Sequence, residues 1–192
     1  MRFEWSTGLT ESDKIQMLAI LNAVAANEGT NGIPRPLTTE EGAKFTATLD
    51  RAVRNGECHQ LFARDEKNGQ IIAFATLEQI KMNPARAHVV DLKRMATAPD
   101  RRGFGRFLLE GWRIILEKCE EIGCDLINID VSEDGPYEMW EKLGFRVYAE
   151  IADYARVDDR KLNGYFLHMY VREGYAALDR FARQSRYQVK AT

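Results

Sequence analysis

"RMATAPDRRGFGRFLLEGW", residues 94–112, decides how this chain is read. An extended run reaches Ala98-Pro99, a turn carries Gly103 and Gly105, and an apolar-patterned helix follows. Glycines let the backbone take positive φ and come close to a ligand. The first turn of a helix presents unpaired N–H groups at the positive end of its dipole. With Arg101, Arg102 and Arg106 around that end, phosphate is the natural guest. Taken alone, the stretch fits a solvated strand-to-helix turn equally well. A nucleotide P-loop is excluded by the missing G-K-[ST], and the dinucleotide fingerprint by the missing third glycine.

The flanking sequence supplies the architecture. "MRFEWS" reads as a first strand, and "LTESDKIQMLAILNAVAANEG" as a helix capped by Thr10 or Ser12. Ile15, Leu18, Ala19, Leu21 and Val24 are its expected apolar face. "LTTEEGAKFTATLDRAVRNGE" is a second helix, with Thr38 or Thr39 as cap and Asn55-Gly56 as its end. Two strands flank the Lys67-Asn68-Gly69 turn, and "HVVDLKRMATA" is another extended segment after "NPARA".

Beyond the glycine turn, Leu108, Trp112, Ile115, Cys119 and Ile122 recur at steps of four and three, a helix stripe. "DLINIDV" reads as a strand buried on both faces. "GPYEMWEKLGF" is a short helix with Pro136 in its first turn and Gly144 at its stop. Two strands around a polar loop, "RVDDRKLNG", precede a terminal helix. The order implies a mixed α/β fold with a largely antiparallel central sheet and helices on both faces. The expected organisation is one domain over residues 1–171 and a helical tail over 172–192 that packs on it or extends it.

Composition narrows the class. Over 192 residues the net charge is −2, which gives no global attraction to nucleic acid or an anionic membrane. No run of about 18 uncharged apolar residues suggests a membrane span. The amino end lacks the apolar stretch of a signal peptide, so a cytoplasmic location is expected. Cys58, Cys119 and Cys124 are odd in number and form no C-x-x-C pair, which predicts reduced thiols and no metal site.

"RMATAPDRRGFGRFLL" followed by "MWEKLGFRVY" resembles the GNAT superfamily of acetyl-CoA-dependent N-acetyltransferases. There, a strand ending near a proline leads into an R-G-x-G-x-G-like loop, and a "YEKLGF" helix-strand junction follows a later strand. The resemblance covers roughly residues 1–171. It implies acetyl-CoA as cosubstrate, with its pyrophosphate on the amides of Arg101, Arg102, Gly103, Phe104, Gly105 and Arg106. Its pantetheine would run along Met95, Ala96 and Thr97. Aligned from Pro99, Arg102, Gly103 and Gly105 agree and the family's last glycine becomes Phe107. Aligned from "GFGRFLL", the helix entry agrees and the loop is two residues short. A fainter likeness, to members that acetylate antibiotics or toxins, rests on domain size and on Asp130.

Acetyl transfer to an amine needs a base for the amine, stabilisation of the oxyanion, and an acid for the departing thiolate. The family's usual acid is the tyrosine of "YEKLGF", and here that position is Trp140, which has no useful proton to give. Tyr137 lies one turn earlier and is the substitute candidate, against an ordinary packing role. Asp130, ending "LINID", is the favoured base because burial by an apolar wall raises a carboxylate's pKa. His88 and Asp91 are alternatives. The acceptor is expected to be a small-molecule or peptide amine meeting "NEGTNGIPRP" and the acidic loop with Asp153, Asp158 and Asp159. No covalent intermediate is expected. An acyl-CoA-binding protein without this turnover is the first rival, and a nucleic-acid module using the Arg180–Lys190 tail the second. The amphipathic terminal helix offers a surface for a homodimer.

Overall fold

The computed structural model describes residues 1–28, 32–79, 83–101, 105–157 and 159–189, with the backbone alone at 27–28, 105–107, 182 and 184–189. The elements are β1 (Arg2–Ser6), α1 (Glu11–Glu28), α2 (Thr39–Arg54), β2 (Cys58–Arg64), β3 (Ile71–Gln79), β4 (Val89–Thr97), α3 (Gly105–Glu121), β5 (Leu126–Ser132), α4 (Tyr137–Lys142), β6 (Arg146–Val157), β7 (Arg160–Tyr170) and α5 (Val171–Val189). Short 3-10 turns occupy Pro84–Arg86 and Pro99–Arg101. The seven strands form a sheet in the order β1-β2-β3-β4-β5-β7-β6, the expected mixed and mostly antiparallel arrangement. Among the described residues, no helix is long and apolar enough to cross a membrane.

The chain resolves into two compact units. The first holds residues 1–81, 91–103 and 156–160. Its strands are locked by antiparallel registers, Trp5 opposite Leu61 and Phe62 opposite Phe74. Met17, Leu21, Val24, Leu49, Val53, Phe62, Phe74 and Ala96 build its core. Local rules explain its helix ends. Thr38 and Glu41 form a reciprocal capping box on α2, and Asn55 closes the helix at the other end. At α1, Thr10 and Asp13 exchange hydrogen bonds in the same sense.

The apolar face expected of α1 is rotated. Ile15 is 67% exposed, while Met17, Ile20, Leu21, Val24 and Ala25 are buried. Asp13 lies in that buried stripe because Arg64 of β2 reaches it at 2.6 Å. Burial opposes the Asp13 charge, but hydrogen bonds from Arg64 and Thr10 outweigh it and hold the carboxyl below its ordinary range. A charged residue therefore occupies a position that hydrophobic periodicity assigns to the outside.

The second unit holds residues 82–90, 104–155 and 161–192. Trp112, Ile115, Leu116 and Cys119 of α3 enter its core with Ile127, Leu143, Phe145, Leu167, Met169, Ala177 and Leu178. The buried residues of α5 make its beginning part of this core. Gly144 ends α4 at φ 102, a conformation glycine adopts without a Cβ penalty.

Two expectations are corrected here. β5 is buried on one face only: Ile127, Ile129 and Val131 are inside, while Asp130 is exposed. Its even positions are Leu126, Asn128, Asp130 and Ser132, so beyond Leu126 the apolar residues of "DLINIDV" all lie on one side of the pleat. The loop expected over "RVDDRKLNG" is mostly strand, since β6 runs to Val157 and β7 begins at Arg160. Ladder pairing wins over local polarity where a short hairpin connection suffices.

Candidate active site

In the first unit, the strand leading to the glycine turn is distorted at one residue. Arg94 has φ 52 in the middle of β4, one of two non-glycine residues with positive φ among those described. Such a conformation costs on the order of 1–2 kcal/mol for an L-residue and persists where its surroundings hold it. The Arg94 guanidinium lies 5.2 Å from the centre of the Phe45 ring on α2. Sequence reasoning passed over Arg94, because nothing local distinguishes it from any basic strand residue.

Met95, Ala96 and Thr97 follow at once. Ala96 is buried in the first unit's core, so strand alternation turns Met95 and Thr97 to the other side. The amide of Ala98 donates to the carbonyl of Ile72 at 2.8 Å, fixing the strand's exit. The Arg101 amide donates to the Ala98 carbonyl at 2.9 Å, and its guanidinium meets Asp65 at 3.3 Å. The amide is thus engaged within the turn, and the guanidinium with the connection between β2 and β3. Arg102, Gly103 and Phe104 lie outside the described residues, and Gly105 and Arg106 are described as backbone opening α3. The first amides of that helix have no partner inside it and point toward its amino end.

In the second unit, β5 pairs antiparallel with β7, placing Asn128 opposite His168, Asp130 opposite Phe166, and Val131 opposite Tyr165. Asp130 is exposed, not set against a buried apolar wall as expected. Its Oδ2 accepts a hydrogen bond from the Tyr154 hydroxyl of β6. Burial, and that hydrogen bond to a carboxylate, push the Tyr154 phenol well above its ordinary range, so it stays protonated. Tyr154 is a second residue the sequence did not reveal.

Tyr137 belongs to the other side of the same strand pair. Its ring lies 5.1 Å from that of Tyr165, whose register partner Val131 is buried. Side chains alternate across a pleat, so Tyr137 and Asp130 serve opposite faces. The Tyr137 hydroxyl donates to Oε1 of Glu141 at 2.9 Å, and that carboxylate raises its pKa. Trp140 is buried and packs edge-on to Trp112 at 6.0 Å and Phe145 at 5.4 Å. The position at which the resemblance leads one to expect a tyrosine is therefore filled by a core residue.

The remaining candidates stand elsewhere. His88 is exposed just before β4, and its carbonyl accepts the amides of Asp125 and Leu126. Asp91 is half-buried and 3.9 Å from Lys93. Asp153, placed in β6 with φ 54, meets Lys161 at 3.3 Å; Asp158 lies outside the described residues. The first acceptor loop is undescribed at Gly29, Thr30 and Asn31.

Neither a family model nor a curated protein matches the sequence. Solved structures do. A spermidine N-acetyltransferase from Vibrio cholerae, in complex with CoA and spermine, superposes with a TM-score of 0.72 at 12% identity, covering 90% of this chain and 98% of that one. A GNAT superfamily phosphinothricin acetyltransferase from Sinorhizobium meliloti, in complex with AcCoA, gives 0.70 at 17% identity over 88% of this chain and 89% of that one. A ribosomal-protein-alanine N-acetyltransferase from Brucella melitensis gives 0.68 at 19% identity over 88% and 99%. The fold of this chain is the GNAT fold.

Proposed function

We propose that this GNAT-fold chain is an N-acetyltransferase that moves acetyl from acetyl-CoA to a primary amine by direct attack. The observation that carries the reading is the positive φ of Arg94 immediately before Met95–Thr97, on the strand that leads through the glycine turn to the start of α3. Residues held in the left-handed region cluster at active sites and ligand clamps, where the strain is part of how the site is built. The strand backbone at Met95, Ala96 and Thr97 would lie along the pantetheine, and the amides that open α3 at Gly105 and Arg106 would meet the pyrophosphate. Bound acetyl-CoA supplies an acetyl group activated as a thioester.

The chain's own residues then handle protons and charge. Asp130 accepts a proton from the acceptor's ammonium, directly or through water, which frees the nitrogen lone pair for attack, and Tyr154 holds that carboxylate in place. The amine enters on the Asp130 side of β5 and its nitrogen bonds to the acetyl carbon; the carbon–sulfur bond breaks, and the thiolate, leaving on the Tyr137 side, takes a proton from Tyr137. Glu141 keeps Tyr137 protonated until then. General acid help of this kind is worth about 10²–10⁴-fold, and a CoA thiolate leaves tolerably without it.

The burial of Trp140 favours a second reading, an acyl-CoA-binding protein without turnover, because the usual acid position is committed to packing. Thermal-shift titration with acetyl-CoA and a thiol-release assay over an amine panel decide between them. Stabilisation with amine-dependent thiol release is the expected result. Stabilisation with no release from any amine leaves the binder, and no stabilisation at millimolar ligand rejects both.

A further inference from the structure

One face of the β5–β7 pair in the second unit is packed with aliphatic side chains, and the other is open and aromatic. On the open face the register sets Asn128 beside His168, Asp130 beside Phe166, and Ser132 beside Gly164. Tyr154 crosses the Phe166 ring edge-to-face at 5.3 Å. Tyr148 stands 6.3 Å from Phe166 and 5.4 Å from His168. Tyr148 is 55% exposed and Tyr154 37%, unusual for rings gathered so closely. At the far end of this row Arg172 lies against Tyr170, 5.3 Å from its centre, so that ring already has its cation.

In the middle of the rings is an exposed carboxylate. Asp130 accepts the Tyr154 hydroxyl on Oδ2, and among the described residues no basic side chain pairs with it. A negative charge with a free acceptor side, next to ring faces of negative electrostatic potential, is complementary to an ammonium group on an apolar body. A polyamine asks instead for several spaced carboxylates. The β7 partners of Asn128, Asp130 and Ser132 are His168, Phe166 and Gly164, none of them acidic, and the other carboxylate on this face among the described residues is the exposed Glu150 of β6, two residues from Tyr148.

We propose that this face is the acceptor subsite and takes a primary amine carried on an aromatic or flat apolar group. Asp130 binds the ammonium, Tyr154 is the positioning residue that aims the carboxylate, and Phe166 and Tyr148 flank the body of the acceptor. The inference rests on the acetyl-transfer reading for its turnover and on the ring-and-carboxylate geometry for its binding.

The test compares 2-phenylethylamine, propylamine and spermidine in the acetyl-CoA-dependent thiol-release assay, and measures 2-phenylethylamine binding to the same protein by saturation-transfer NMR. The expected kcat/KM favours the aryl amine over propylamine by about tenfold or more, the scale of one buried apolar contact. Phe166→Leu, which keeps an apolar side chain without the ring, and Phe166→Ala both raise KM for the aryl amine by a larger factor than KM for propylamine. Tyr154→Phe raises KM for both amines while the folded state is retained. Preference for spermidine, or an aryl-to-propylamine ratio unmoved by either Phe166 variant, overturns the proposal. So does a Tyr148→Asp variant that turns a dimer into a monomer in sedimentation with the aryl-amine KM unaltered, since the face would then belong to a second copy. Aryl-amine binding lost in Asp130→Asn, without acetylation of any amine, supports the subsite and rejects the transferase reading.

Discussion

Tyr154 of β6 reaches over the intervening strand β7 to donate its hydroxyl to Asp130 of β5. The ring has room for this because the residue beneath it is glycine: a Cβ on Gly164 would lie 2.2 Å from Cγ of Tyr154. The three residues are one device, in which a missing side chain lets a tyrosine lie flat and orient a carboxylate.

Gly164→Ala is therefore expected to destabilise the protein by about 1–3 kcal/mol through overpacking. In a Tyr154→Ala background most of that cost disappears, because the atoms it would strike are gone. Urea unfolding of the two single variants and the double variant measures the coupling. Additive losses would show that the ring does not need the glycine.

Arg94 offers a backbone test. Replacement by glycine, which adopts positive φ freely, is expected to preserve stabilisation by acetyl-CoA. Arg94→Val places a β-branched residue where it is a steric outlier, and is expected to lose at least about 1–2 kcal/mol of stability and to weaken cosubstrate binding. Thermal shift with and without acetyl-CoA reads both effects.

Tyr137→Phe should lower kcat while the acetyl-CoA thermal shift stays intact. A sharper result comes from Glu141→Gln. The Glu141 carboxylate raises the Tyr137 pKa, so its removal lets the phenol ionise at lower pH. If Tyr137 is the acid, the alkaline limb of the rate profile moves toward neutrality; an unmoved limb rejects the role.

The capping box of α2 predicts an acid-side loss of stability. Hydrogen bonds from Arg35 and the Thr38 amide lower Glu41 from 4.5 to about 2. A depressed carboxylate stabilises the fold above its unfolded pKa, and the contribution is lost as pH falls from 4.5 toward about 2. Glu41→Gln should flatten that part of the stability profile in denaturant titrations at stepped pH.

The thiols should be inert in the native state. Cys58, Cys119 and Cys124 are all buried, and burial pushes Cys58 up to about 11 and Cys119 to about 12. Ellman's reagent at pH 8 is expected to leave them unmodified until denaturant is added, when all three react.

Several of these features are written locally in the chain and were legible there. The capping pair Thr38 and Glu41, the turn at Gly69, the stop at Gly144 and the stripe Trp112–Ile115–Cys119 each depend on residues a few positions apart. Short-range backbone geometry determines them, so the element order and the strand-turn-helix around residues 94–112 could be read directly.

Tertiary structure decided what depends on distant partners. The outside-looking Asp13 is inside because Arg64, 51 residues away, compensates its charge. Trp140 is core because Trp112 and Phe145 surround it. Asp130 meets Tyr154, 24 residues on, through the order of three strands, and Gly164 makes that meeting sterically possible. Sequence alone determined which elements form, since hydrogen bonds within a turn or helix need only neighbours. Which face of β5 stays open, and what stands beside its carboxylate, required the strands to be paired in register.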